Sequence, residues 1–260
     1  MRLSSLLCVM LLTSGLQAGL QTAAGLQASG TQALDPDAGQ IFALANQIRT
    51  AQGLGSLTWD PALAAAALQH CKRMSVEGAI AHRYGGELDL TERAGHAGAH
   101  FSLIEENIAV GASAARIHQA WMESPDHRAN LLNPEIDRVG IAVVAANGVL
   151  FAVADYGRGV QSMDATQVEA HFAAMLRTKG LGIVKDPSQA RAYCSSSGRF
   201  SGADQPSFLM RWQNPDTDQL PEELLKQVAT KNYQRAAVGS CPAQGVDGGF
   251  TIYRVAVLLY

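Results

Sequence analysis

Two apolar runs joined by Asn147-Gly148 constrain the fold of this chain more than any other feature of its sequence. Residues 139–143 alternate apolar and small side chains, and a second apolar run, residues 149–153, follows the Asn-Gly pair. Alternation with a period of two is typical of a half-buried strand, and Asn-Gly favours the type I′ turn of a tight hairpin. The sequence therefore predicts an antiparallel hairpin over residues 139–157.

Helical patterns precede this hairpin. Apolar residues recur at helical spacing over residues 38–52 and again after Asp60-Pro61, where aspartate is a good N-cap and proline suits the first helical position. Further helices are predicted over residues 90–98 and 113–123, the second capped by Ser113 and stopped by Pro125. Helices interspersed with a pair of strands predict an α+β domain built in layers.

The N-terminus has the layout of a secretory signal peptide. One positive charge at Arg2 precedes an apolar run from Leu3 to Leu12, and small residues follow. We expect a signal peptide over residues 1–24, a linker over residues 25–37, and a secreted or periplasmic protein. The apolar run is shorter than the roughly 20 residues that a membrane span needs, and no later stretch is long and apolar enough, so we expect no transmembrane segment.

The charge of the chain excludes one class of partner. Its 20 Lys and Arg residues nearly balance 23 Asp and Glu residues, which gives a formal net charge of -3. Proteins that bind nucleic acid neutralise phosphates with a basic patch, and no such patch is visible in the sequence. We therefore expect no nucleic-acid partner.

A smaller α+β domain is predicted for residues 165–260. Its helices are expected near residues 165–179 and 220–232, and its strands near residues 207–212 and 250–260. This domain carries no motif that we recognise. It either packs on or tethers the first domain, which we favour, or acts as a binding module that supplies specificity for a target.

Two cysteines, Cys194 and Cys241, flank much of the second domain. In an exported chain an isolated pair of this kind predicts a disulfide. Such a bond would stabilise the fold by roughly 4 kcal/mol. Cys71 falls on a predicted helix, where it is expected to be a buried apolar side chain rather than a nucleophile.

The order of the motifs in the first domain resembles the CAP superfamily, also called the SCP or pathogenesis-related-1-like family, in its bacterial secreted branch. The residues that carry the resemblance are Asn46, Arg49, Leu57, Trp59, Asp60, His82, Glu106 to Ala109, Trp121 to Pro134 and Val139 to Ala142. It covers just under half of the chain. It implies a CAP-type α-β-α sandwich over residues 38–160, followed by the smaller disulfide-linked α+β domain.

The resemblance also implies a cavity lined by His82, Glu106 and His127. Many eukaryotic members hold two histidines and two glutamates there, and His82 and Glu106 match one of each. Ser124 and Leu150 occupy the two other positions, so His127 is the expected substitute. The motif residues expected to support this region are Asn107, Arg128 and Asn130.

Imidazole and carboxylate groups suit zinc, which takes three or four ligands in tetrahedral geometry. His82 and His127 are therefore candidate zinc ligands, with Glu106 as the third member of the set. Each of these side chains also has an alternative, structural role in bracing the loops around it.

The leading function implied by the resemblance is non-enzymatic binding of a lipid-like, glycan or protein ligand outside the cytoplasm. One alternative is a metal-dependent hydrolase in which Glu106 acts as the general base. The sequence holds no His-Glu-x-x-His and no Gly-x-Ser-x-Gly pattern, which does not favour an enzyme. A structural protein of the cell envelope is the other alternative.

Overall fold

Helices and strands alternate along the chain, and the strands form two separate four-stranded sheets. The structure is a computed structural model that describes residues 34–196, 205–246 and 248–260. The predicted signal peptide, and the predicted linker up to residue 33, lie outside these residues.

The first sheet and its helices form what we call the N-terminal lobe, residues 34–160. Its elements are α1 (Pro36–Ala51), β1 (Thr58–Trp59), α2 (Pro61–Glu77), α3 (Leu90–His96), β2 (Phe101–Gly111), α4 (Ala114–Glu123), α5 (Pro125–Leu131), β3 (Arg138–Ala146) and β4 (Val149–Gly159).

The second sheet and its helices form the C-terminal lobe, residues 161–260. Its elements are α6 (Ala165–Thr178), β5 (Gly182–Ile183), α7 (Ser188–Ser195), β6 (Phe208–Asn214), α8 (Glu222–Ala229), β7 (Arg235–Cys241) and β8 (Tyr253–Leu259). Residues 34–260 form one compact unit, and the division into two domains stays a prediction.

The N-terminal sheet has the strand order β1-β3-β4-β2, with β1 parallel to β3 and the other pairs antiparallel. Alternate residues of β4 face opposite sides. Ala152, Ala154 and Tyr156 pack with α1, α4 and α5, whereas Phe151 and Val153 pack with α2. The sheet is therefore the middle layer of an α-β-α arrangement, and β2 is an edge strand.

The structure confirms the predicted hairpin. Strands β3 and β4 pair antiparallel around Asn147 and Gly148, whose φ angles are 52° and 78°. A type I′ turn needs positive φ at both central residues, which Asn and Gly adopt more readily than other residues. The hairpin thus forms for the reason that the sequence indicated.

The helix ends also follow their predicted caps. The side chain of Asp60 accepts hydrogen bonds from the first turn of α2, and Ser113 caps α4. Helix α1 begins at Pro36, two residues before the predicted start, because Asp35 is its N-cap. Pro125 ends α4 as expected but also starts α5, a helix that the sequence pattern did not indicate.

Polar side chains hold the ends of the N-terminal lobe together. The guanidinium of Arg49 is buried and donates to the carbonyl oxygens of Leu131 and Asn133, both at 2.9 Å. Asn46 exchanges two hydrogen bonds with the backbone of Leu57. The Asn-x-x-Arg pattern of α1 therefore fixes the loops that enter β1 and leave α5.

The C-terminal lobe departs further from expectation. Its sheet has the order β5-β7-β8-β6, and the strand pattern did not indicate β7. Helix α7 was also missed. The predicted disulfide is present: Cys194 of α7 is bonded to Cys241 at the end of β7. In the described part of the chain, no helix combines the length and apolarity needed to cross a membrane.

Gly140 marks the closest approach of a helix to the N-terminal sheet. A Cβ atom at this position would lie 1.9 Å from the backbone nitrogen of Ala64 in α2. We expect Gly140→Ala to lower the free energy of unfolding by about 1–3 kcal/mol, or to prevent folding, because backbone atoms cannot move aside as a side chain can. Chemical denaturation of the purified variant would measure this.

Gly39→Ala is the matched control, since the new methyl group in α1 would lie 3.9 Å from its nearest neighbour, Leu34. It should stabilise the protein by about 0.5–1 kcal/mol because alanine is a better helix former. Equal unfolding free energies for the two variants would contradict the close helix–sheet contact.

Candidate functional site

The carboxylate of Glu106 is the centre of a buried polar cluster on the side of the sheet that faces α2. Its Oε1 atom lies 2.8 Å from Nδ1 of His82, and its Oε2 atom accepts a hydrogen bond from Nη2 of Arg93. The Glu106 side chain is only 3% exposed. Both of its oxygens are therefore engaged by protein groups.

Arg93 supplies the charge that allows Glu106 to be buried. Its side chain comes from α3, is itself buried, and also donates to the carbonyl oxygens of His82 and Leu88 at 3.3 and 3.4 Å. A buried carboxylate is tolerated only when a partner compensates its charge and fills its hydrogen-bonding capacity. Arg93 does both.

His82 lies at the outer edge of this cluster, with its side chain 61% exposed. The hydrogen bond to Glu106 raises the pKa of His82, against the lowering effects of burial and of the Arg93 charge. The ring directs Nδ1 at the carboxylate, and a carboxylate contact of this kind sets the ring's tautomer and orientation.

His70 extends the cluster on the α2 side. Its Nδ1 lies 2.7 Å from a carboxylate oxygen of Glu87, and its Nε2 lies 2.9 Å from the carbonyl oxygen of Ala81. Both ring nitrogens thus face oxygen atoms of neighbouring groups, so the ring links α2 to the loop that follows it. Its Nε2 is also 4.0 Å from Oε2 of Glu106.

Asp155 lies opposite Glu106 across the β2–β4 pair. Its side chain is fully buried, and in the described part of the chain no N–H or hydroxyl donor reaches either of its oxygens. Burial, and then the charge of Glu106, raise the pKa of Asp155 well above its usual range. Two adjacent buried carboxyls are best accommodated when one keeps its proton, so Asp155 is the protonated member.

His127 lies on α5, beyond the edge strand β2. Asn107 points away from the Glu106 side of the sheet and donates to the His127 carbonyl at 2.9 Å. Asn130 donates to the backbone oxygen of Glu106 at 3.3 Å and to the side chain of Asn107 at 3.0 Å. The two asparagines therefore attach α5 to the strand that carries Glu106.

The side chain of His127 is half-buried. Burial lowers its pKa, and the charge of His82 lowers it further. Arg128, the remaining motif residue, is exposed on α5. The structure thus joins His82 and Glu106 by a hydrogen bond and places the helix of His127 beside them. In the described part of the chain, no hydrogen bond joins the side chain of His127 to His82 or Glu106.

The arrangement does not fit zinc ligation by Glu106. Both of its oxygens face nitrogen atoms of His82 and Arg93, and a guanidinium repels a bound cation. Within the described ranges, no three His, Cys, Asp or Glu side chains are grouped so that they could hold a metal ion. Zinc binding by His82 and His127 stays a prediction, with two imidazoles where zinc takes three or four ligands.

Two open grooves flank the cluster. One, of about 660 Å³, runs along α2 and ends at Gly85, Gly86 and Glu87. The other, of about 710 Å³, lies between Glu105 and the α4–α5 junction. The first is lined by Ala65, Leu68, Gln69, Lys72, Arg73 and Val76 besides the three residues at its end.

Sequence reasoning missed His70, Arg93 and Asp155, which carry no motif. His70 could have been found, because it falls on the buried face of α2 between Leu63 and Met74. Arg93 gave no comparable signal, since a charged residue on a short helix is ordinarily exposed. Buried Cys71 has its pKa raised to about 12, chiefly by desolvation, which agrees with its expected inert role.

Comparison with known proteins finds a family match within the N-terminal lobe. Residues 42–156 match the CAP family, described as the cysteine-rich secretory protein family. An uncharacterized membrane protein of Bacillus subtilis, YlbC, is 33% identical over 108 residues, which are 40% of this chain and 30% of that protein. An uncharacterized protein of the same organism, YkwD, is 29% identical over 114 residues, or 42% of this chain and 43% of the relative. The chain thus spans less than half the length of these curated relatives.

Solved structures with similar folds include an extracellular protein with an SCP domain from Bacillus anthracis. It is 31% identical, with a TM-score of 0.44 and coverage of 47% of this chain and 40% of that one. An outer surface protein from Borrelia burgdorferi is 22% identical, with a TM-score of 0.45 and coverage of 47% of this chain and 92% of that one.

Asp155 provides a test of the buried acidic pair. An unfolded aspartate has a pKa near 3.9, whereas the folded pKa is raised, so the wild type loses stability as the pH rises from about 4 towards the folded pKa. Asp155→Asn removes this titration. Relative to the wild type, its free energy of unfolding should therefore rise between pH 4 and pH 8, as measured by chemical denaturation at each pH.

Asp186→Asn is the control for this experiment. Hydrogen bonds from Ser188 lower the pKa of exposed Asp186, so its carboxylate stabilises the fold above the unfolded pKa and that contribution is lost as the pH falls. The free energy of unfolding of the control variant, relative to the wild type, should therefore fall between pH 4 and pH 8. Parallel pH profiles for the Asp155 variant and the wild type would show that Asp155 is not held protonated.

Zinc loading tests the predicted metal site. Because Glu106 is occupied by Arg93, we expect the purified protein to retain well under one zinc per chain after loading and dialysis. Metal content of the wild type, His82→Ala and His127→Ala would be measured side by side. One zinc per wild-type chain, lost in both variants, would establish the two histidines as ligands and reverse our conclusion.

Proposed function

We propose that residues 42–156, which belong to the CAP family, form a non-enzymatic binding domain of an extracytoplasmic protein whose ligand is a lipid-like amphiphile with an anionic group. The observation that carries the proposal is the groove of about 660 Å³ along α2. Its apolar wall and its two cations suit such a ligand, and the candidate base beside it is already engaged by protein groups.

The groove has an apolar wall that the fold leaves uncovered. Leu68 is 38% exposed and Val76 is 82% exposed, and both line the groove. Each fully buried side chain of this size contributes roughly 1.5–3 kcal/mol. A ligand with an alkyl chain would gain much of that free energy by covering both residues.

The same groove carries two cations. Lys72 and Arg73 lie between Leu68 and Val76 on α2 and line the groove. Arg73 is also paired with Glu77 one turn away. An ammonium beside an apolar wall suits a carboxylate or phosphate head group attached to an alkyl chain. The second groove has two acids, Glu105 and Glu123, against one cation, Arg128, so it suits an anionic head group less well.

The geometry favours binding over hydrolysis. A general base must reach the water or substrate from which it takes a proton. Glu106 is the candidate base, yet it is buried and both of its oxygens contact His82 and Arg93. We therefore assign Glu106 a supporting role beneath the surface and place the ligand on the exposed grooves.

Two features support a location outside the cytoplasm. The disulfide between Cys194 and Cys241 is of a kind that persists in oxidising compartments. The N-terminal pattern of one charge followed by an apolar run is that of an export signal. A secreted or periplasmic protein is part of the proposal for these reasons.

Leu68→Lys tests the groove in the full-length protein. With a fluorescent long-chain fatty acid as the probe, we expect saturable binding by the wild type and at least about tenfold weaker binding by the variant, because a buried leucine contact is worth more than about 1.4 kcal/mol. Fluorescence titration gives both dissociation constants.

Leu225→Lys is the matched control. Leu225 lies on α8 and is 36% exposed, against 38% for Leu68, so the two substitutions add the same charge at equally exposed helical leucines. The control should bind the probe like the wild type. The proposal would be wrong if the wild type failed to bind the probe, or if both variants lost binding equally.

A further inference from the structure

The two lobes have the same topology. The C-terminal order β5-β7-β8-β6 repeats β1-β3-β4-β2 with each strand number raised by four. In both sheets the first strand has two residues and pairs parallel to the third, whereas the other two pairs are antiparallel. The layers also agree, since α6 and α8 cover one face and α7 covers the other.

The loop before each two-residue strand is built in the same way. Each contains a Gly-Leu-Gly triplet whose leucine nitrogen donates to the carbonyl five residues earlier, at 2.9 Å for Leu54 and 3.3 Å for Leu181. The preceding glycine has a φ of 75° in the first loop and 90° in the second. Both loops therefore end their helix with the same left-handed glycine cap.

An Asp-Pro pair then follows each short strand. Asp60 precedes Pro61, and Asp186 precedes Pro187. Each aspartate accepts a hydrogen bond from the backbone nitrogen two residues later, at 2.8 and 2.9 Å. The helix that covers one face of the sheet starts at this point in both lobes.

A glycine in the third strand lets that helix approach. A Cβ at Gly140 would lie 1.9 Å from the nitrogen of Ala64, and a Cβ at Gly239 would lie 2.2 Å from the nitrogen of Arg191. Both contacts fall in the first turns of the helix after the Asp-Pro pair. Gly140 and Gly239 therefore occupy equivalent positions, and the two sheets can be aligned residue by residue from them.

In that register the acidic centre of the first lobe has no counterpart in the second. Gly140 pairs with Asp155, which pairs with Glu106 on the edge strand. Gly239 likewise pairs with residue 256, which pairs with residue 211. The counterparts of Asp155 and Glu106 are Ala256 and Arg211. The second lobe thus keeps the fold but has lost both acids.

What the second lobe does contact is α3, the helix that carries Arg93. A Cβ at Gly95 would lie 2.5 Å from the Cα of Gly249, and a Cβ at Gly249 would lie 2.0 Å from the carbonyl oxygen of Thr91. Two residues further on, Thr251 donates to the carbonyl of Phe101 at 2.9 Å. The segment 248–251 therefore lies against both α3 and the start of β2.

An aromatic contact strengthens this attachment. The ring of Phe250 meets the ring of Phe101 edge to face, with centroids 5.2 Å apart. Such pairs contribute about 0.5–1.5 kcal/mol beyond the area they bury. Phe101 begins the strand that carries Glu106, so one segment of the second lobe contacts the elements that supply both members of the Arg93–Glu106 pair.

We propose that the C-terminal lobe is a second, degenerate copy of the CAP-type fold that acts as a clamp, in which Gly249 holds α3 so that Arg93 stays on Glu106. Gly249 and Gly95 are positioning residues, because neither contacts the cluster itself. The proposal rests on the proposed function in one respect only, the assumption that the cluster supports a ligand-binding region. The contacts that it invokes exist whether or not a ligand binds.

Gly95→Ala in the full-length protein tests the clamp. The new methyl group must displace Gly249 or α3, which moves the Arg93 charge away from Glu106 and His82. Because that charge lowers the pKa of His82, we expect the pKa of His82 to rise in the variant. A proton NMR titration of the His82 ring measures it, with a His82→Gln spectrum for assignment. Gly39→Ala, a helical glycine with open space, should leave the pKa unchanged.

Gly249→Ala alters the same contact from the side of the C-terminal lobe. The clamp can therefore still be tested if one of the two variants folds poorly. Its control is Gly245→Ala. Both glycines have positive φ, 80° and 63°, but a Cβ at Gly245 meets nothing within 4 Å. The two substitutions therefore impose similar backbone strain and differ in the contact with α3. We expect the His82 pKa to rise in Gly249→Ala alone.

An unchanged His82 pKa in folded Gly95→Ala or Gly249→Ala would overturn the clamp, as would an equal rise in Gly245→Ala. This readout is independent of the fatty-acid titration of Leu68→Lys. If the His82 pKa stays unchanged while the fatty acid binds as expected, the clamp is wrong and the proposed function stands. If the fatty acid does not bind while the His82 pKa rises as expected, the proposed function is wrong and the clamp stands.

Discussion

The buried pair of Arg93 and Glu106 is the interaction on which the N-terminal lobe depends. Taking either charge out of water alone would cost several kcal/mol, and breaking such a pair typically destabilises a protein by about 3–5 kcal/mol. The two side chains come from α3 and from the edge strand β2, which follow one another in the sequence. Their pairing holds α3 against the sheet, and Arg93 secures the loop between α2 and α3 by also donating to the carbonyls of His82 and Leu88.

The same pair explains why the cluster is better described as a structural contact between elements of the fold than as a reactive centre. Several of its polar groups contact another element of the fold: His70 contacts the loop after α2, Asn130 contacts the backbone of Glu106, and His82 covers the carboxylate from outside. A carboxylate that is buried and paired in this way orients its neighbours. The outer face of His82 and the two grooves are exposed parts of this region that a ligand could contact.

The sequence indicated the parts of this structure whose cause is local. Asn147-Gly148 determines its own turn, and Asp60 and Ser113 cap their own helices. The strand β2 was missed because its inward positions include Glu106, so its pattern is not apolar. Arg93 and Asp155 were missed because their burial arises from contacts across the fold. The repeat of the two lobes did leave a local signal, since Gly-Leu-Gly followed within six residues by Asp-Pro occurs twice, over residues 53–61 and 180–187.

The loss of the acids in the second lobe follows from the cost of keeping them. In the first lobe Asp155 and Glu106 are tolerated because Arg93 and a retained proton neutralise them. A lobe that no longer needs such a centre gains stability from replacing a buried carboxyl with Ala256, since a small apolar side chain incurs no desolvation penalty. The disulfide between Cys194 and Cys241 then joins α7 to β7 by a covalent bond on that same face of the sheet. Without a buried polar centre, the second lobe can act as a rigid support. Its segment 248–251 can approach α3 closely because Gly249 has no side chain at the point of contact.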